Sequence, residues 1–240
     1  MFHLAHLSDR LAEYNPEGGR VISIFVFLKY YYSSILQQLL RHLLVVLLSI
    51  PLSVALSIPV GFYVSPRPRL AKVVIYIASI LMTIPSLALF GIMVVLLAPV
   101  KLGLGITPAV LAIMIYSLLP IIRNTTTALN QVAAGMIEAA RGMGLTKHQI
   151  LFKVKLPLSI PVIMAGVRNA IVLGVSVATY ASLVGAGGLG YFIFSGIGRA
   201  NLLMVLVGAI LVSALGISVN YLLLKVEDLV TPRGLKVVKT

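Results

Sequence analysis

Glu138-Ala139-Ala140-Arg141-Gly142-Met143-Gly144, running on through residues 145–153 to Val154-Lys155-Leu156-Pro157, is one elaborated polar stretch in an otherwise oily chain. Glu138 is the only acidic residue between Glu17 and Glu227. Around it, 60% of the 240 residues are hydrophobic and 10% are charged, with a mean hydropathy of +1.07. Soluble domains carry about 25% charged residues. Several apolar runs approach or exceed the roughly 20 residues that a spanning helix needs. The composition therefore predicts an all-α, polytopic membrane protein whose one long polar loop is held out to a partner.

Local signals predict two short helices inside that loop. The first runs through Met136-Ile137-Glu138-Ala139-Ala140-Arg141 and meets Gly142 and Gly144, which suit a left-handed C-terminal turn. Thr146-Lys147-His148-Gln149 fits a capping box, with Leu145 and Ile150 at the staple positions. Pro157 predicts that the second helix stops by Leu156, because the residue before proline disfavours the helical region. A solvated connector would satisfy the same pattern. The apolar positions Ile150, Leu151 and Val154 instead predict a face buried against something.

Outward from the loop, five spans are predicted. The first is Leu43–Val64, about 33 Å at 1.5 Å per residue, with kinks at Pro51 and Pro59. The second is Val73–Ala98, with Thr83, Pro85 and Ser86 at mid-membrane, and the third is Pro108–Ile122. The fourth follows the polar loop and runs to Val184, and the fifth is Leu202–Leu224. Residues 1–42 read as a polar segment with a turn at Pro16–Gly19 and an amphipathic interfacial helix over Val21–His42, a sixth span being the alternative. Residues 43–225 form the membrane domain, with the loop at 130–157, and 226–240 form a basic tail. Most of the 19 Lys and Arg fall in the 65–72 loop, the 123–168 region and the tail. The positive-inside bias makes those cytoplasmic, with the C-terminus in and the N-terminus out.

Several chemistries are excluded. There is no cysteine, so no disulfide frame or thiolate site exists. His3, His6, His42 and His148 are scattered, and no metal site is expected. No Asp or Glu lies inside a predicted span, so the carboxylate relay of a proton-driven transporter is missing. No phosphate loop of the G-x-x-x-x-G-K-[ST] type occurs. The net charge of +13 flanks the spans and does not cluster with aromatics, which speaks against nucleic acid as a partner. Gly185-Ala186-Gly187-Gly188-Leu189-Gly190 matches a dinucleotide fingerprint only in letters. Neither the strand before it nor the acidic residue about 20 positions on is present. It reads as an outer turn after the fourth span.

Small residues recur every fourth position in that span: Gly166, Ala170, Gly174, Ala178 and Ser182. Such ribbons let helices approach closely. Packing within the subunit, packing across a dimer axis and a pore lining are all compatible with it. A weaker ribbon, Ala209, Ser213, Gly216 and Asn220, marks the fifth span. Arg168 either snorkels to lipid phosphates or pairs with a group of the polar loop.

The spacing E-A-A, three residues, G, nine residues and then I-x-L-P resembles the cytoplasmic EAA loop of importer-type ABC transporter permeases. Glu138, Ala139, Ala140, Gly144, Leu156 and Pro157 fall in register, and Val154 replaces the usual isoleucine. The resemblance covers roughly Leu39 to Leu224. It includes Ile84-Pro85-Ser86-Leu87-Ala88-Leu89, the stretch Tyr116 to Asn124, Leu156 to Gly166 and Gly185 to Phe194. Together these look most like permeases for glycine betaine, choline, carnitine and related osmoprotectants. In the osmoprotectant pattern an acidic residue often follows the glycine turn, where this chain has Tyr191.

The resemblance implies a second permease subunit, two ATPases that bind ATP and magnesium, and an extracytoplasmic binding protein, in a bacterial or archaeal inner membrane. No cofactor is expected in this chain, and it is not expected to be an enzyme. Glu138, Ala139, Ala140, Arg141, Gly144, Leu156 and Pro157 would then couple to the ATPase. Candidates for the pathway are Pro85, Ser86, Asn124, Thr179, Tyr180 and Ser182, which are polar, aromatic or kink-making in apolar helices. Gly185, Gly187, Gly188 and Gly190 would shape the outer turn. A methionine permease is the alternative within transport. A non-transporting membrane scaffold is the alternative outside it. An intramembrane enzyme lacks the metal cluster, thiol or carboxylate it would need.

Overall fold

A computed structural model describes residues 20–230. The turn expected at Pro16–Gly19 and the end of the basic tail lie outside the described residues. Helix α1 spans Arg20–Val64, α2 Pro68–Thr83, α3 Ser86–Leu97 and α4 Ile106–Asn130. Then follow α5 Ala134–Gly142, α6 Lys147–Ile150, α7 Leu156–Val177, α8 Gly190–Gly198 and α9 Leu202–Val230. Short 3-10 turns cover Ala98–Val100 and Ala178–Val184, and a π turn covers Leu151–Lys155. Among the described residues β pairing is limited to one bridge, Gly105 to Gly185.

Four helices are long and apolar enough to cross a membrane, and a fifth span exists if α2 and α3 are counted as one bent span. The expected five spans therefore have counterparts, but two differ in form. The second is not a single helix over Val73–Ala98. Helices α2 and α3 meet at 96°. Ile84 and Pro85 are extended there, at φ −61°, ψ 127° and φ −53°, ψ 132°. Proline forces the residue before it out of the helical region, so two helices begin and end where one was expected.

The first span also differs. No break separates an interfacial helix at 21–42 from a span at 43–64, because α1 is continuous through His42 and Leu43. Its apolar part, Val26–Val64, is 39 residues long, or about 58 Å, roughly twice a hydrocarbon core. Tertiary packing explains the continuity. Phe27 stacks on Tyr31 at 4.3 Å, and both meet the edge of Phe192 of α8. Leu28, Ile35 and Leu39 join the same cluster with Met204 and Val207 of α9.

Helix α4 is the centre of the bundle. Ala109, Ala112, Ile113, Ile121 and Leu129 have no solvent exposure. Two ribbons of small residues let neighbours close on it. From α1, Ser49, Ser53 and Ser57 are fully buried. Ser53 Oγ donates to Ser49 O at 2.9 Å and sits 3.3 Å from Met114 O of α4. The ribbon of α7 closes from another side. At Gly166 an added Cβ would lie 2.5 Å from Asn124 Cβ, so this ribbon packs within the subunit. Without a hydrophobic drive between helices in lipid, close approach and buried hydroxyls carry the association. The weaker ribbon of α9 faces outward at Ala209 and Ser213 and is half-buried at Gly216 and Asn220.

Candidate functional site

The polar loop is two short helices joined by a tight turn, as its local signals predict. Helix α5 ends in a Schellman arrangement. Leu145 N–H donates to Ala140 O at 3.1 Å and Gly144 N–H to Arg141 O at 2.9 Å. Both bonds require a left-handed residue at Gly144, whose φ is +79°. The capping box is complete: Thr146 Oγ1 accepts from Gln149 N–H, and Gln149 Oε1 accepts from Thr146 N–H at 2.8 Å. Ala140 and Ile150 are buried, while Glu138, Ala139 and Arg141 are exposed.

The expected stop before Pro157 does not occur. Lys155 and Leu156 stay helical, and Leu156 N–H donates to Leu151 O, five residues back. The wider π turn shifts the ladder so that Pro157 stands in the first turn of α7. A missing N–H is tolerated at that position. The loop thus runs on without a break into a candidate membrane span of 38 residues over Lys147–Val184.

Three apolar side chains of the loop face outward: Met136 at 52%, Met143 at 72% and Phe152 at 58% exposure. Each leaves apolar surface exposed on an otherwise polar loop. Beside it, the loop and the turn between α1 and α2 enclose a cleft of about 520 Å³ that carries Arg67, Arg141, Lys147 and Lys155.

At the far end of the bundle the glycine turn is pinned from α1. Gly188 N–H donates to Gln38 Oε1 at 2.8 Å and Leu189 N–H to His42 Nδ1 at 3.2 Å. His42 Nε2 lies 3.0 Å from Val175 O. Since Nδ1 accepts, Nε2 carries the proton and donates. Gly105 N–H donates to Val184 O at 2.7 Å, tying the turn to the start of α4. Gly185, Gly187 and Gly188 all have positive φ. Gly190 is needed for a different reason: a Cβ there would lie 1.9 Å from Thr179 O.

The pathway candidates fall in separate places. Pro85 is exposed and Ser86 half-buried at the α2–α3 bend, which Tyr116 Oη holds by donating to Ile84 O. Tyr180 lies between Phe90 and Phe194, at 6.2 and 5.7 Å between ring centres. Thr179 abuts Gly190. Ser182 Oγ donates to Thr179 O at 3.1 Å, and Asn124 Nδ2 donates to Pro120 O at 2.7 Å. The Ser182 hydroxyl and one N–H of the Asn124 amide are therefore spent on their own segments. Asn124 is also packed against Gly166, well away from the bend.

Arg168 neither snorkels freely nor pairs with the loop. It meets Glu227 of α9 at 3.3 Å. Sequence reasoning missed this pair, and it missed Gln38, His42 and Tyr116. The signal for His42 was weak: one histidine in an apolar helix whose partners lie more than a hundred residues away. Tyr116 opens a quoted motif, but nothing in the motif points to Ile84. Among the described residues no group of three His, Cys, Asp or Glu could hold a metal ion.

Comparison with known proteins agrees with this architecture. The family described as "Binding-protein-dependent transport system inner membrane component" matches residues 53–231. The osmoprotectant import permease protein OsmW of Salmonella typhimurium is 41% identical over 179 residues, covering 75% of this chain and 83% of that protein. The carnitine transport permease protein OpuCB of Listeria monocytogenes is 41% identical over 179 residues, covering 75% and 80%. The glycine betaine/carnitine/choline transport system permease protein OpuCB of Bacillus subtilis is 37% identical over 182 residues, covering 76% and 82%. An inward-facing structure of the MetNI methionine ABC transporter shares the fold, with a TM-score of 0.73 at 24% identity. It covers 82% of this chain and 96% of that one. The chain belongs to the family of inner-membrane components of binding-protein-dependent transport systems.

Proposed function

We propose that this chain forms the membrane passage of an ATP-driven importer for osmoprotectants such as glycine betaine, carnitine and choline. The identity to permeases named for those solutes, over about three-quarters of the chain, carries the reading. The methionine alternative has a shared fold in its favour and no comparable identity. Energy comes from a partner ATPase, because the sequence holds no phosphate loop. The ATPase docks on the loop at 130–157, where Met136, Met143 and Phe152 offer apolar surface and the Gly144 turn sets the angle between α5 and α6. Since α6 runs without a break into α7, motion imposed on the loop passes to the helix that packs on α4.

The loop end is cytoplasmic and the glycine turn extracytoplasmic in this reading. Arg67, Arg141, Lys147 and Lys155 gather at the loop end, in keeping with the positive-inside bias. A binding protein delivers solute to the other end, and a second permease subunit completes the passage. Pro85, Ser86, Thr179 and Tyr180 are the residues of this chain closest in character to a solute path.

Uptake into vesicles carrying the chain, its ATPase and its binding protein tests the assignment. Labelled glycine betaine should accumulate only with ATP, and labelled methionine should not. Accumulation of methionine alone would remove the osmoprotectant reading.

A further inference from the structure

We propose that the cleft between the α1–α2 turn and the polar loop seats the phosphate of an anionic phospholipid. Four cationic side chains line it: Arg67 from the turn, whose guanidinium also caps the Tyr63 ring and donates to Tyr63 O, and Arg141, Lys147 and Lys155 from the loop. No carboxylate lines the cleft among the described residues. Glu138, one helical turn from Arg141, is not part of its wall, and the Arg168–Glu227 ion pair lies elsewhere. Such a concentration of one sign attracts an anion.

The floor is apolar. Phe62 and the buried Ile150 line it, so a ligand with both a phosphate and a hydrocarbon part fits better than a free ion. Height supplies the second argument. Residues 65–67 join two apolar helices directly, which places the turn at the level where headgroups begin. Tyr63 on one side of the turn and Val73, Tyr76 and Ile77 on the other are exposed. Exposed apolar side chains on both sides of the turn suit a level where acyl chains begin. Basic pockets between membrane helices on the cytoplasmic side suit phospholipid headgroups for these reasons.

The competing occupant is an acidic segment of the ATPase. Of the residues expected to meet that partner, the exposed apolar Met136, Met143 and Phe152 lie outside the cleft, and only Arg141 belongs to both surfaces. That this lipid belongs to the cytoplasmic leaflet rests on the proposed orientation. The seat itself requires only that the chain is embedded in a membrane.

Native mass spectrometry of the full chain released from mixed phosphatidylglycerol and phosphatidylcholine vesicles tests the inference. Phosphatidylglycerol should be retained preferentially. Arg67→Gln, Lys147→Gln and Lys155→Gln should each lower that retention about fivefold, the effect of one charge close to an anionic surface. Lys155→Arg and the distant Arg199→Gln should retain it, which separates lost charge from lost fold. Equal retention of the two lipids, or retention unchanged by the three Gln variants, overturns the proposal. Two competition arms separate the other sources. Displacement of the lipid by inorganic phosphate would make the ligand a free anion and overturn the lipid assignment. Displacement by added ATPase would make the cleft part of the protein dock and overturn it equally. Loss of ATPase binding in the Gly144→Asp chain with phosphatidylglycerol retention intact would leave the lipid seat standing independently of the coupling reading.

Discussion

His42 on the first helix accepts the backbone N–H of Leu189 at 3.2 Å, across 147 positions of chain. Its other ring nitrogen reaches Val175 O at 3.0 Å, and the side chain is 1% exposed. One imidazole therefore satisfies an orphan donor of the glycine turn and a carbonyl near the end of α7. His42→Ala leaves the buried Leu189 N–H without this acceptor, at a cost of about 1–3 kcal/mol, and removes the donor to Val175 O. Thermal unfolding in detergent should show the loss. His42→Gln, which keeps a donor and an acceptor, should recover part of it.

Gly190 lies against the Thr179 carbonyl. With 1.9 Å between that oxygen and an added Cβ, Gly190→Ala must move backbone. It should cost about 3 kcal/mol or more, at the upper end of overpacking effects. Gly91→Ala is the matched control, since nothing lies within 4 Å of its added Cβ. Folded yield by size-exclusion chromatography should fall for the first variant and not for the second.

Gly144 has open space around it but a φ of +79°. Alanine there should cost about 1 kcal/mol through backbone strain, and asparagine less. Because the turn sets the angle of the docking helices, ATP hydrolysis coupled to uptake should fall in the order Gly, Asn, Ala. Thermal stability of the membrane bundle should change little.

Tyr116 holds the α2–α3 bend by donating to Ile84 O. Tyr116→Phe keeps the ring in the core and removes that donor, at a cost of about 1 kcal/mol. The bend is then freer, so uptake rate should change while the yield of folded protein does not. Unchanged uptake would remove the bend from the transport cycle.

What could be read from the sequence was what local chemistry decides. The capping box at Thr146 and Gln149 and the glycine turn at Gly144 involve residues within a few positions of each other. The ribbon of α7 was legible because small residues repeat every fourth position. The matching ribbon Ser49, Ser53 and Ser57 went unread because serine looks polar, whereas here the hydroxyls of Ser49 and Ser53 are spent on their own helix. Pro157 misled in the opposite way: the local rule is sound, but the π turn before it moved the proline to a position where it is tolerated. The 96° bend at Ile84 and Pro85 starts at a proline the sequence shows, but its tie to Tyr116 and the packing of the 45-residue α1 on Phe192 join residues far apart in the chain. Nothing near either element announces its partner. The pathway candidates were chosen for side-chain character alone, and the structure adds that Ser182 Oγ and one N–H of Asn124 also bond their own backbone.

The most direct test of the account is whether the loop at 130–157 holds an ATPase. A tagged chain should be purified in mild detergent beside its Glu138→Lys and Gly144→Asp variants, with co-purifying proteins identified by mass spectrometry. An ATPase should accompany the native chain and be lost from both variants. An ATPase retained in full by both, or absent from the native chain in every condition, would contradict it.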